Sequence, residues 1–133
     1  MDPRGIRNCN PGNLRAGDPW LGLTGVDDAG FCTFDTPEHG IRALAKVLIA
    51  YQVRYGLRTI SEFICRWAPP VENDTPAYIM SVCKSVGASP VAPYTLTPGR
   101  LRDLVAAIIK HENGEQPYTS DVIQAGVDMA FVG

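Results

Sequence analysis

A chain of 133 residues with 45% hydrophobic content fits one domain spanning residues 1–133, and a domain near this size buries roughly two-thirds of the surface its unfolded chain exposes. Neither a metal nor a disulfide is needed to hold it. Twelve Lys and Arg against fourteen Asp and Glu give a net charge of −2, which argues against a basic groove for nucleic acid and against an anionic-membrane footprint.

The first 35 residues are rich in Gly, Asn and Asp. Short apolar stretches at residues 20–23 and 31–34 flank a turn-prone Val26-Asp27-Asp28-Ala29-Gly30, which predicts loop plus one small hairpin. Three Thr-Pro pairs then mark helix starts: Thr36-Pro37, Thr75-Pro76 and Thr97-Pro98. Threonine caps the orphan N–H groups of a first turn, and proline there loses a donor that had no partner anyway. After Thr36, Ile41, Leu44, Leu48 and Tyr51 recur at three- and four-residue intervals, predicting an amphipathic helix to about residue 54 that stops near Gly56.

Thr59-Ile60-Ser61-Glu62 has the form of a capping box and opens a short helix through Phe63, Ile64 and Trp67, stopped by Pro69-Pro70. The next helix runs from Pro76 through Tyr78, Ile79, Val82 and Cys83, with Gly87 at its left-handed end. The following one starts at Pro98, carries Leu101, Leu104, Val105 and Ile108, and ends around residues 112–114. A weaker helix covers roughly residues 120–130, where Gly126 lowers helical propensity by about 1 kcal/mol relative to Ala. The expected class is α+β, predominantly helical, with a small β-hairpin near the N-terminus.

The longest apolar run, residues 104–109, is about a third of the roughly 18 to 20 residues a membrane span requires, so no membrane insertion is expected. Met1-Asp2-Pro3-Arg4-Gly5 lacks the apolar stretch of a secretory signal, so the chain is expected to be soluble and made in the cytoplasm. Cys9, Cys32, Cys65 and Cys83 form no C-x-x-C pair, and His39 and His111 are the only histidines. Zinc-ligand spacing is missing, no metal or other cofactor is expected, and the thiols read as free and mostly buried.

The informative residue is Glu112. At about 100° per residue it lies roughly 20° from Leu101, 20° from Val105 and 40° from Ile108, so its carboxyl projects from the apolar stripe of its own helix. Such a position is costly unless the group is paired, caps another element, or serves as an acid at the edge of a cleft. Desolvation there suits a general acid working near neutral pH. His111, next to it, points about 100° away and is not assigned as a base. Glu115 reads as a solvated loop charge.

The segment Leu104-Val105-Ala106-Ala107-Ile108-Ile109-Lys110-His111-Glu112-Asn113-Gly114 resembles the catalytic helix of lysozyme-like peptidoglycan hydrolases and lytic transglycosylases. In those families an apolar helix ending in Glu comes early, and here it comes last. Asn10-Pro11-Gly12-Asn13-Leu14-Arg15, then Trp20-Leu21-Gly22, the Phe31 to Phe34 stretch, and Gly40-Ile41-Arg42-Ala43 resemble the half that normally comes after it. Trp67-Ala68-Pro69-Pro70 with Asn73-Asp74-Thr75 and Tyr78 resembles a later segment. The resemblance implies a circularly permuted lysozyme-like domain with its catalytic helix near the C-terminus. The N-terminal pattern Arg-Gly-Ile-Arg-Asn-x-Asn-Pro-Gly-Asn is similar to that of small phage virion or lysis proteins, with Cys9 standing where Asn is expected.

The same resemblance implies a glycosidase acting on bacterial peptidoglycan glycan strands, with Glu112 as general acid and base. Asn10 and Asn13 would bond acetamido groups, Trp20 would stack on a sugar, and Tyr78 would turn its hydroxyl into the cleft. Each also has a plain reading: turn chemistry for the asparagines, packing for the aromatics. Trp67 reads as core. Glu72 and Asp74, with Asp35 behind them, are candidates for a second carboxylate. None of them both sits in a matching motif and projects from an apolar face, which favours the single-carboxylate, transglycosylase route.

The rival readings are a non-catalytic virion structural or peptidoglycan-binding module and a small inhibitor binding a host protein. Other virion or lysis proteins are the expected partners, and the route to the wall is release by a holin or delivery within a virion.

Overall fold

The structure is a computed structural model and describes residues 2–132. Six helices and a two-stranded antiparallel sheet run in the order α1 (Arg4–Arg7), β1 (Leu23–Val26), β2 (Cys32–Phe34), α2 (Pro37–Tyr55), α3 (Ile60–Trp67), α4 (Thr75–Val86), α5 (Pro98–Asn113) and α6 (Ser120–Val132). The predominantly helical class with a small N-terminal hairpin is as the periodicity predicts. Among the described residues no helix is long and apolar enough to cross a membrane.

The punctuation residues act largely as expected. Thr36 accepts from the His39 N–H and Gly56 takes φ 65° at the end of α2. Thr59 and Glu62 form the capping box of α3, and Thr97 accepts from the Arg100 N–H at the start of α5. The Thr75-Pro76 pair differs: Asp74 caps α4 by accepting from the Ala77 N–H. Thr75 sits inside the first turn, and its hydroxyl donates to the Ala68 carbonyl at 2.6 Å.

Two further differences lie in the N-terminal segment. The strands pair Leu23 with Phe34, Gly25 with Thr33 and Val26 with Cys32, so Trp20 and Leu21 precede the sheet instead of forming its first strand. Residues 4–7 form a single helical turn, too short to leave a periodic signal. That turn anchors the hairpin: the Phe34 N–H donates to the Asn8 carbonyl, and Asn8 Nδ2 donates to Asp27.

The main core joins α2 through α6. Ile41, Leu44 and Leu48 of α2, Phe63 and Ile64 of α3, and Leu101, Leu104 and Ile108 of α5 are wholly buried in it. Leu14, Cys32, Phe34 and Ala43 form a second cluster, against which Trp20, Leu23, Val47 and Trp67 pack. Trp67 touches both. The seam between this small N-terminal cluster and the helical body is where the C-terminal end of α5 emerges.

Candidate active site

Four segments meet at that seam. The end of α5 supplies Glu112, whose Oε1 accepts from Asn13 Nδ2 at 3.0 Å and whose Oε2 accepts from the Tyr78 hydroxyl of α4 at 2.7 Å. The Tyr78 oxygen in turn accepts from Trp67 Nε1 of α3 at 3.1 Å. The cleft above them has a volume of about 370 Å³ and is walled by residues 12–15, by Val47 and Tyr51 of α2, and by Trp67, Ala68, Glu72, Asn73 and Glu112. An ionised carboxylate offers about four acceptor positions. Two are used by Asn13 and Tyr78, which leaves acceptor positions on both oxygens for a second partner.

Tyr78 is 2% exposed. Burial and the neighbouring Glu112 carboxylate push its hydroxyl far above the ordinary tyrosine range, so it remains a donor throughout the working pH range. Its ring stacks on His111, with centroids 3.8 Å apart. Tyr78 thus turns its hydroxyl to the Glu112 carboxylate from a buried position, with its ring out of the cleft wall. Trp67, which its sequence spacing assigns to the core, is half-buried, walls the cleft and holds the tyrosine oxygen. Its place three residues after Ile64 says core, and the resembling Trp67–Tyr78 segment gives it no role of its own.

Asn10 is corrected. It is 0% exposed; its Oδ1 accepts from the Leu14 N–H, and its Nδ2 donates to the carbonyls of Leu14 and Cys32. An amide with both ends engaged inside the fold has nothing left for an acetamido group. Its work is to shape the loop that aims Asn13, whose backbone takes φ 52°. Asn113, the small polar residue after Glu112 in the resembling segment, to which the sequence assigns no role, completes the clamp. Its buried Nδ2 donates to the carbonyls of Pro11 and Ile109, pinning the N-terminal block to α5. Gly5 makes room for it, since a Cβ there would stand 2.6 Å from Asn113 Oδ1.

Of the other acidic residues, Glu72 shares the cleft with Glu112. Asp74 is occupied in capping α4, which makes it a structural carboxylate rather than a free second one. Asp35 accepts from His39 at 2.6 Å, and that hydrogen bond holds its carboxyl below the usual range. Trp20 walls a neighbouring groove along α2 instead of the Glu112 cleft. Among the described residues no cluster of His, Cys, Asp and Glu is arranged to hold a metal. Cys9, Cys32, Cys65 and Cys83 are all free, with Cys65 exposed.

Fold and site together define a small, mainly helical protein with a carboxylate-bearing cleft between its N-terminal segment and its helices. No protein-family model matches the chain. Protein P5 of Pseudoalteromonas phage PM2 is 42% identical over 135 residues, an alignment taking in 98% of this chain and 83% of the phage protein. The chain belongs to the family of that phage protein.

Proposed function

We propose that the chain is a phage-encoded peptidoglycan-cleaving glycosidase with a circularly permuted lysozyme-like fold, in which Glu112 is the sole catalytic acid and base. The observation that carries the reading is the Glu112 carboxylate, fixed by Asn13 and Tyr78 in an open cleft at the end of an apolar helix. A phage relative accords with the proposed origin. The route to the wall is release after holin action or entry as part of a virion.

In this reading protonated Glu112 gives its proton to the glycosidic oxygen between N-acetylmuramic acid and N-acetylglucosamine as that bond breaks. The developing positive charge on the sugar then faces the Glu112 carboxylate. The muramoyl C6 hydroxyl attacks the anomeric carbon and returns its proton to Glu112, which closes a 1,6-anhydro ring and resets the acid. Tyr78 and Asn13 hold the carboxylate in one orientation through both transfers, so little reorganisation is needed between them.

A second reading, a peptidoglycan-binding or virion structural module, is favoured by one observation. The two hydrogen bonds on Glu112 also tie the N-terminal block to α4 and α5. Incubation with purified peptidoglycan, followed by mass spectrometry of released muropeptides, separates the two. The expected outcome is release by the native protein and a loss of roughly a hundred- to ten-thousand-fold in Glu112→Gln, the usual worth of general acid catalysis, with the melting temperature little changed. A fully active variant refutes the assignment, and a native protein without turnover leaves the binding module.

A further inference from the structure

A second groove runs beside the Glu112 cleft along the outer face of α2, and the two share Val47 and Tyr51 as common wall. It has a volume of about 830 Å³, within the range of specific ligand sites. Lys46, Ala50 and Arg54 recur on its floor at four-residue spacing, with Val47, Tyr51 and Tyr55 one position on, so one helical face is presented over about 14 Å at 1.5 Å per residue. Trp20 and Arg66 of α3 also line it.

The charge of this face is opposite to that of the molecule. Lys46, Arg54 and Arg66 stand against Asp18 alone, in a chain whose net charge is −2. Among the described residues none of the three cations enters an ion pair with a carboxylate. Arg66 is held over the Tyr55 ring at 3.7 Å and the Tyr51 ring at 5.4 Å, which keeps both the guanidinium and the aromatic platform in place. Aromatic faces suit sugar rings, and cations without a carboxylate partner in the fold suit carboxylates on whatever the sugars carry.

Resting on the glycosidase reading, we infer that this groove receives the uncleaved continuation of the glycan strand and selects for strands that bear stem peptides. Trp20 takes a sugar, and the Arg66–Tyr55 stack borders it. Lys46, Arg54 and Arg66 take the carboxylates of the stems. The groove reports on its own ligand independently of bond cleavage, because its residues lie outside the set that holds Glu112.

The test is binding of the Glu112→Gln protein, followed by fluorescence anisotropy, to labelled soluble glycan strands that either keep their uncross-linked stems or have lost them to an amidase, which leaves one lactyl carboxylate on each muramic acid, with double-stranded DNA as a competing polyanion. Stem-bearing strands are expected to bind about tenfold tighter than stripped ones, because their stems carry more carboxylates and carry them further from the sugar, as suits two or three solvent-exposed charge contacts, with the difference shrinking as salt is raised. Lys46→Gln with Arg54→Gln is expected to abolish the preference, and Lys46→Arg with Arg54→Lys to retain it. Equal binding of the two glycans, a preference that survives charge removal, or tighter binding of DNA overturns the assignment. Turnover by the native protein is measured separately. Stem preference without turnover leaves the groove standing and removes the glycosidase; turnover without stem preference does the reverse.

Discussion

The Glu112 carboxylate depends on a neighbour that is almost wholly shielded from solvent. Removing the Tyr78 hydroxyl deprives Glu112 Oε2 of its donor and Trp67 Nε1 of its acceptor, and a hydrogen bond to a charged group contributes about 1.5–3 kcal/mol. Tyr78→Phe is expected to fold with a lower melting temperature and to release muropeptides roughly a hundredfold more slowly, the usual consequence of a catalytic group displaced by about 1 Å. Unchanged turnover would remove Tyr78 from the machinery. Glu112 itself is legible in the sequence because an acidic residue on an apolar helical stripe violates the pattern around it. The roles of Asn10, Tyr78 and Trp67 are not, since a residue type permits both a sugar contact and an internal bond. Burial decides between them: Asn10 exhausts its amide on three backbone partners, while Asn13, three residues on, sends its amide across to Glu112.

Element boundaries show the same division between local and tertiary information. Helix ends are readable where one side chain or one left-handed glycine settles them, as at Thr36, Thr59, Gly56 and Gly87. Asp74 displaces Thr75 as cap because an ionised carboxylate is the stronger acceptor for first-turn N–H groups. Gly126 reads as a weakness in α6, yet a Cβ there would meet Ile41 Cγ2 at 2.5 Å and the Glu38 carbonyl at 2.9 Å. It is the point of close approach between α2 and α6. Gly126→Ala therefore sets a propensity gain of about 1 kcal/mol against overpacking of about 1–3 kcal/mol, with backbone as one of the obstacles. Net destabilisation is expected in denaturant titration, and a stabilised variant would show that the helices can part. The hairpin turn adds a pH dependence. Asp27 accepts from the Phe31 and Ala29 N–H groups and from Asn8, which lowers its carboxyl below the ordinary 3.8, the Phe31 bond first. A depressed folded-state value means that the unfolded chain binds more protons, so this stabilisation is present above about pH 4 and fades as acid titrates the folded form. Melting temperatures measured from pH 6 to pH 3 are expected to fall more steeply for the native protein than for Asp27→Asn, which has no carboxyl to titrate.

At the scale of the molecule, the site exists because distant parts of the chain close on each other. Asn13 and Glu112 are 99 positions apart and share a hydrogen bond; Pro11 and Asn113 are 102 apart and share another. No periodicity carries such a meeting. The fold also brings Glu72, on the exposed stretch between α3 and α4, into the cleft of Glu112, which frames the choice of product. If Glu72 activated a water across the sugar, the products would be reducing ends carrying oxygen from solvent, and Glu72→Gln would cost on the order of a hundredfold or more. The single-carboxylate route requires no such base. Glu112 is fixed by two donors, whereas Glu72 stands exposed on its loop, and a base free to swing is poorly placed to direct a water in line. Glu72→Gln is accordingly expected to keep turnover within about threefold of native, too small a loss for general base catalysis. The released ends are expected to be 1,6-anhydromuramoyl, with no heavy oxygen taken up from labelled water. Reducing ends with incorporated label, lost together with activity in Glu72→Gln, would give Glu72 the base's role and make the protein a hydrolase.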